Sequence, residues 1–279
     1  MPFVERITVS ADAAAELPGW VREVPALRPV LAGTPIRLTA PLTFVVGENG
    51  SGKSTLVEAV AERFGLDARG GRASVPGGNL DTEKTPLGDA LRLELTHRGL
   101  AMRRGPRLGR QGFFLRAETV LEMNARFAGW PGYWADDVNT QSHGEGFFGI
   151  FDAMLTEPGF YVLDEPESAL SFQSCLRLVA LLGRLRDSGS QIVCATHSPI
   201  LTAVPGAQIL EMRPDGPADA RWDDLAVVGH WRRFLDHPGG YLDELVAPAP
   251  EPGPAPRTVE PGDERDLIRR LRRRINGED

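Results

Sequence analysis

The sequence predicts an α/β fold with a mostly parallel central sheet flanked by helices, accompanied by an antiparallel β region. Three observations lead there. PLTFVV (41–46) is a short apolar run ending at Gly47, the mark of a buried strand. STLVEAVAERFG (54–65) follows with apolar residues at helical spacing, Leu56, Val60 and Phe64, and Gly65 supplies the stop. GFYVLDE (159–165) and SQIVCATH (190–197) are two further buried-strand runs, separated by the helical segment SFQSCLRLVALLGRLRDSG (171–189). Strand, helix and strand of these lengths form a parallel crossover. LRLELTH (91–97) and GFFLRAE (112–118) are expected as strands of a separate β-rich region.

Composition narrows the function classes. With 42% hydrophobic and 25% charged residues, the 279-residue chain has the make-up of an ordinary globular protein and length for a sizeable core. A net charge of −7 argues against bulk attraction to nucleic acid or acidic membranes. Lys53 and Lys84 are the two lysines against 29 arginines, a bias that deprives arginine counts of meaning by themselves. Cys175 and Cys194 make no disulfide framework, no apolar run is long enough to span a membrane, and Glu5 and Asp12 interrupt any leader-like stretch. A cytoplasmic location without membrane insertion is the expectation.

The chemistry begins at GENGSGKST (47–55), which fits the phosphate-loop pattern G-x-x-x-x-G-K-[ST]. Gly47 and Gly52 let the backbone curl; the N–H groups from Gly47 through Glu48, Asn49, Gly50, Ser51 and Gly52 can then face an anion. Lys53 is placed for the β- and γ-phosphates of a nucleotide, and the Ser54 hydroxyl for a Mg²⁺ shell. Thr55 lies in the first turn of a helix whose positive end points at the phosphates. A strand before and a helix after give the motif its proper setting.

YVLDEPE (161–167) sets two acids at the carboxyl end of a parallel strand, the edge at which open α/β sheets bind ligands. In a phosphate-loop protein, Asp164 is expected to hold Mg²⁺ and Glu165 to take a proton from the attacking water. Seen alone, such a pair is a turn or a helix cap. THSPIL (196–201) brings His197 to the same edge, where a backbone-satisfied histidine is the plainer alternative. Cys194 and His197, with no second ligand pair, make a poor zinc site.

In that order, the phosphate loop, QSHGE (141–145), LDEPESALS (163–171) and ATHSPIL (195–201) resemble the ATP-binding cassette (ABC) superfamily, and most of all a group of soluble bacterial predicted ATPases that share these phrases and GFFLRAE. The resemblance covers roughly residues 15–245. It implies a phosphate-loop ATPase fold with a small helical signature subdomain at roughly 119–158, and ATP and Mg²⁺ as ligands. It also implies a head-to-tail homodimer, in which Ser142, Gly144 and Glu145 of one copy reach the ATP held by the other. Ser142 stands where the family signature has serine, Gly144 at its second glycine, and Glu145 replaces its glutamine. His197 matches the family's switch histidine. SALS (168–171) resembles the loop joining the two sites, with Ser171 in place of aspartate. Gln111 and Glu118 are both candidates for the family's glutamine-bearing loop. Trp20 either stacks on adenine or packs in the core.

On this reading residues 1–247 are the ATPase domain, 248–264 (within APAPEPGPAPRTVEPG) a Pro-rich linker, and 265–279 a basic terminal helix or disordered tail with Leu267, Leu271 and Ile275 at helical spacing. The tail is a solvated helix, a docking helix for a protein partner, or a basic contact to nucleic acid or lipid. Arg98, Arg103, Arg104, Arg107, Arg110 and Arg116 occur with no acid between them, and on a hairpin they would make a positive face, either a solvated one or a contact to nucleotide phosphates or DNA. Beside a partner-coupled soluble ATPase, the competing functions are a transporter's ATP-binding subunit, a DNA-repair or defence ATPase of the SMC kind, and a non-hydrolysing scaffold.

Overall fold

The computed structural model of the protein describes residues 2–67, 71–72, 84–104, 112–119, 143–155 and 158–246, together with Arg269 and Arg273. The chain forms two compact units, Met1–Trp222 and Asp223–Asp279. The strands, in chain order, are β1 (Val4–Val9), β2 (Ile36–Arg37), β3 (Leu42–Val46), β4 (Gly71–Arg72), β5 (Leu91–Leu95), β6 (Gly112–Arg116), β7 (Phe160–Asp164), β8 (Gln191–Thr196), β9 (Gln208–Arg213) and β10 (Gly216–Asp219). Short helices α1 (Ala11–Ala15), α2 (Gly19–Arg22) and α3 (Arg28–Leu31) precede α4 (Lys53–Phe64) and α5 (Pro86–Ala90). They are followed by α6 (His97–Arg104), α7 (His143–Met154), α8 (Phe172–Asp187), α9 (Ala226–Asp236) and α10 (Gly239–Val246).

The larger sheet has seven strands in the order β10-β9-β3-β8-β7-β6-β4. Its five central strands are parallel and only β10 and β4 at the edges run antiparallel. Every residue of β3, β7 and β8 is buried, as strands covered on both faces must be, which is why they read as continuous apolar runs. Against this sheet α4 buries Leu56, Val57, Val60, Ala61 and Phe64, and the Phe64 ring lies 4.2 Å from that of Phe160. Gly65 ends α4 in the left-handed conformation, its N–H returning to Ala61 and Glu62.

A second sheet, β2-β1-β5, is antiparallel throughout. It takes in LRLEL as expected but not GFFLR. That segment is β6 of the central sheet, paired in parallel with β7 from Gly112↔Phe160 to Arg116↔Asp164. Its first four residues are all buried, and a Cβ on Gly112 would come within 2.7 Å of the Phe160 carbonyl. Glycine permits that close approach to β7, and pairing with β4 on the other side makes β6 an interior strand. The expected arginine hairpin is corrected too. Residues 97–104 form α6, capped by the Thr96 hydroxyl, which accepts from Gly99 N at 3.0 Å. Arg98 lies over the Phe3 ring at 4.5 Å, and Arg116 is engaged in ion pairs. Arg107 and Arg110 lie outside the described residues.

Two buried glutamines tie the sheets together. Gln191 of β8 accepts from the N–H groups of Phe3 and Val4 at 2.7 and 2.8 Å and donates to the Val4 carbonyl at 2.8 Å. Gln208 of β9 accepts from Thr39 N at 2.9 Å and donates to the Arg37 carbonyl at 3.0 Å. In the second unit, α9 and α10 meet around Tyr241, whose ring lies 5.8 Å from that of Phe234 and whose hydroxyl is 3.1 Å from His230 Nδ1. The linker and the Leu267, Leu271 and Ile275 stripe lie outside the described residues.

Replacing Gln191 with leucine keeps the volume but strands two backbone donors and one acceptor in the interior. The expected outcome is a loss of about 3 kcal/mol in unfolding free energy, measured by urea denaturation. A loss near zero would show that the bonds to Phe3 and Val4 do not join the two sheets.

Candidate functional site

The strand register builds the site. Val46 at the end of β3 pairs with Thr196 of β8, and Ala195 of β8 with Asp164 of β7. The turns leaving these strands therefore emerge side by side at the carboxyl edge of the sheet, carrying residues from 47, 165 and 197 onward.

In the first turn, Gly47 is required by crowding, since a Cβ there would stand 2.7 Å from Ser51 Oγ and 3.0 Å from Met212 Cβ. Gly50 and Gly52 are required by conformation, with φ of 77° and 89°. The side chain of Val24 closes over Gly52, 2.8 Å from where a Cβ would be. Glu48, Asn49 and Gly50 form the exposed rim of the loop and Thr55 the first turn of α4, while Ser51 Oγ is buried without a hydrogen-bond partner among the described residues. Lys53, only 3% exposed, folds back so that Nζ donates to the Glu48 carbonyl at 2.9 Å. Burial pulls its pKa down, against the attraction of Glu165 and Asp164.

Behind the loop, Ser54 Oγ donates to Asp164 Oδ1 at 3.1 Å. The pair expected to share a metal shell is thus already assembled. Burial pushes the Asp164 carboxyl up to about 6, despite the Ser54 hydroxyl and the Arg116 guanidinium, whose Nε is 3.9 Å from Oδ2. Arg116 Nη1 pairs with Glu58 at 2.8 Å and Nη2 with Glu118 at 3.0 Å. A cavity of about 200 Å³ opens here, between Ser54, Arg116, Glu118, Asp164, Glu165 and Ser168. Of the two candidates for the glutamine-bearing loop, Glu118 lines this cavity. Gln111 lies outside the described residues, just before the opposite end of β6.

Glu165 follows Asp164 with φ of 48°, a left-handed backbone that costs a side-chain-bearing residue of order 1 kcal/mol. Bonds on both sides hold it there: its N–H donates to the Ala195 carbonyl at 2.9 Å, and its carbonyl accepts from Ser168 N and Oγ at 3.1 and 2.9 Å. Its Oε1 lies 3.1 Å from His197 Nε2, although their angle leaves that hydrogen bond unmade. Burial and the Lys53 charge push the His197 pKa below its ordinary value, which makes the ring neutral at neutral pH.

Lys53, Ser54, Asp164, Glu165 and His197 are therefore brought together, as expected. Ser142 lies outside the described residues. Gly144 and Glu145 fall in the first turn of α7, whose later turns bury Phe148, Ile150 and Phe151 and stack Phe148 under Arg177 of α8 at 4.1 Å. Ser171 caps α8, accepting from Ser174 N at 3.3 Å, a role aspartate fills equally well. Trp20 is 57% exposed, so the core alternative is wrong for it. The sequence did not set Arg116 apart from the rest of its arginine run, and offered no role for Glu167. Glu167 Oε1 accepts from Thr196 Oγ1 at 2.6 Å and from His197 N at 2.7 Å. The second acid of EPE was the only signal for it.

The chain resembles known proteins over parts of its length. A family described as "AAA domain, putative AbiEii toxin, Type IV TA system" matches residues 146–203, and one described as "AAA domain" matches 27–75. The chain is similar to the Brefeldin A resistance protein of Schizosaccharomyces pombe, 27% identical over 173 residues that make up 57% of this chain and 11% of the relative. It is also similar to ABC transporter G family member 14 of Dictyostelium discoideum, at 23% identity over 57% of this chain and 12% of the relative. The chain thus spans about one ninth to one eighth of the length of these relatives. Among solved structures, it aligns with an ATP-binding subunit of an ABC transporter (16% identity, TM-score 0.43, covering 69% of this chain and 83% of that one). It also aligns with the SMC head domain from Thermotoga maritima (17% identity, TM-score 0.40, covering 79% and 98%).

Asp164 holds a proton more tightly in the folded chain than at its ordinary value of 3.8. Its contribution to stability is full below pH 3.8 and is lost as pH rises through about 6. Asp164→Asn, which cannot ionise, is expected to melt higher than the native protein by about 5 °C at pH 7.5 without metal or nucleotide. The difference should shrink at pH 5 and vanish near pH 4, as thermal melts across that range will show; a pH-independent difference would rule out this origin.

Proposed function

We propose that this ABC-type phosphate-loop domain binds ATP with Mg²⁺ and hydrolyses it to ADP and phosphate between two head-to-tail copies, with closure of the pair moving an attached protein partner. The observation that carries the reading is the Ser54–Asp164 contact, 3.1 Å, at the same strand edge as Lys53, Glu165 and His197. The phosphate loop itself supports it. Gly47 leaves a cradle that a Cβ would fill, and the buried Ser51 hydroxyl has no partner among the described residues.

In this mechanism the triphosphate lies along the loop, with the N-terminus of α4 behind it. Lys53 exchanges its bond to the Glu48 carbonyl for phosphate oxygens, so its charge is no longer spent on the loop's own backbone. Ser54 and Asp164 would hold Mg²⁺, which when bound offsets the charge on the phosphate oxygens. Glu165 accepts the proton of the attacking water. Neutral His197 has a single N–H, which it offers toward the terminal phosphate from its place 3.1 Å from Glu165. Ser142, Gly144 and Glu145 would complete the anion site from the second copy. The divergent signature sets this chain apart from a typical transporter subunit. Of the arginines in 98–116, Arg98 and Arg116 are occupied within the protein.

Lys53→Ala is expected to weaken binding of a fluorescent ATP analogue by about 100-fold or more. Unchanged affinity would overturn the reading. Glu165→Gln is expected to lower turnover by about 100- to 10,000-fold while leaving ATP binding in place. It should also shift the chain from monomer to dimer on adding ATP and Mg²⁺, read by light scattering behind size exclusion. Full turnover in this variant would assign the base elsewhere.

A further inference from the structure

We infer that Glu167 is a positioning residue for hydrolysis, holding the turn that carries His197 so that the imidazole stays against Glu165; this rests on the ATPase reading above. Glu167 lies in the turn after β7, but its carboxylate reaches back to the end of β8. Oε1 accepts from Thr196 Oγ1 at 2.6 Å and from His197 N at 2.7 Å, two short, charge-assisted bonds. The Thr196 oxygen in turn accepts from Ser198 N at 2.9 Å, and Ser198 Oγ accepts from Ile200 N at 3.2 Å. One carboxylate oxygen therefore organises the 196–200 turn.

The same turn of chain fixes Glu165. Ser168 closes on the Glu165 carbonyl with both its N–H and its hydroxyl, and Glu165 N–H is tied to Ala195. Glu165 and His197 leave adjacent strands on separate turns, and Glu167 is the side chain that joins those turns. Its other oxygen is buried with no hydrogen-bond partner among the described residues. Stability alone gives little reason for a carboxylate buried with one oxygen idle, because its desolvation is only half compensated. Geometry gives a better one: without Glu167 the His197 N–H loses its acceptor, and the 3.1 Å approach of Nε2 to Glu165 loses its support. Glu167 makes no bond to the phosphate loop or to Ser54 and Asp164, so its positioning effect should fall on turnover. Its charge does act on Lys53, and Glu167→Gln, which removes that charge but keeps the bonds, tells the two effects apart.

The experiment is a double-mutant cycle on the full chain, with kcat and ATP affinity measured for Glu167→Ala, His197→Ala and both together. Glu167→Ala should lower kcat by about 10- to 100-fold, the cost of a misplacement on the ångström scale, with affinity changed less than about twofold. In the His197→Ala background it should cost almost nothing more, because it acts through that histidine. Glu167→Gln, whose amide oxygen can accept both bonds, should recover most of the loss. Glu167→Asp keeps the charge but shortens the reach, so it should resemble Glu167→Ala and serves in its place if the alanine variant does not fold. Additive losses from Glu167 and His197, or a glutamine variant as slow as the alanine one, would overturn the inference. If His197→Ala alone keeps full turnover, the role given to the histidine fails instead, and the two failures are told apart.

Discussion

The site depends on the flush parallel register of β3, β8, β7 and β6. Parallel pairing fixes which strand ends are level, and here Val46, Thr196, Asp164 and Arg116 end their strands within a residue of one another. A one-residue slip in any pair would turn alternate side chains to the other face and part Asp164 from Ser54 of the loop. With both faces of the interior strands buried, polar–apolar alternation cannot set this register, and the close-packed shapes of the side chains on each face must hold it. The two glutamine ties perform a similar service for the antiparallel sheet, since Gln191 and Gln208 sit on strands that carry the site and bind the backbone of 3–4 and 37–39.

Onto this rigid edge the chain loads charges that the fold alone does not satisfy well. Lys53 is buried and bonded to its own loop, burial pushes the Asp164 carboxyl up to about 6, and Glu167 keeps an idle oxygen. Glu165 adopts a backbone conformation that disfavours its side chain. Each feature costs stability, and all fall within one patch at the strand ends. Local unfavourability concentrated where a charged ligand would relieve it is the physical signature of a site rather than of a core. Arg116 moderates the cost by spreading over Glu58, Glu118 and Asp164, and its place in register with Asp164 makes that possible.

Much of this was legible in the sequence because the relevant signals are local. The apolar runs at 41–46, 159–163 and 190–195 announce buried strands, and the glycines of 47–52 announce a turn that only glycine allows. What escaped were relations set by tertiary pairing. GFFLR has the same apolar character whether it is an edge strand or an interior one, and only its neighbour β7 decides. Residues 97–104 carry glycine and several arginines that mask a helix begun by the Thr96 cap. Arg116 and Glu167 gain meaning only when β6 lies beside β7 and the 165–171 turn lies beside the 196–200 turn. No spacing rule along the chain encodes those contacts.

The remaining open side of the site bears on how one chain could work. Glu165 and His197 are 35% and 33% exposed at the side chain, so in a single copy the proposed base faces bulk water. In that setting a carboxylate is a weak base, and a phosphate charge is stabilised little by protein dipoles against a high dielectric. Lys53, by contrast, is sheltered on the other side, at 3% exposure. Binding is therefore built into one chain more completely than catalysis is. In the proposed dimer the second copy would cover Glu165 and His197 and exclude that water. Turnover would then depend on closure rather than on nucleotide occupancy alone, which is the property required of a domain that couples ATP to movement.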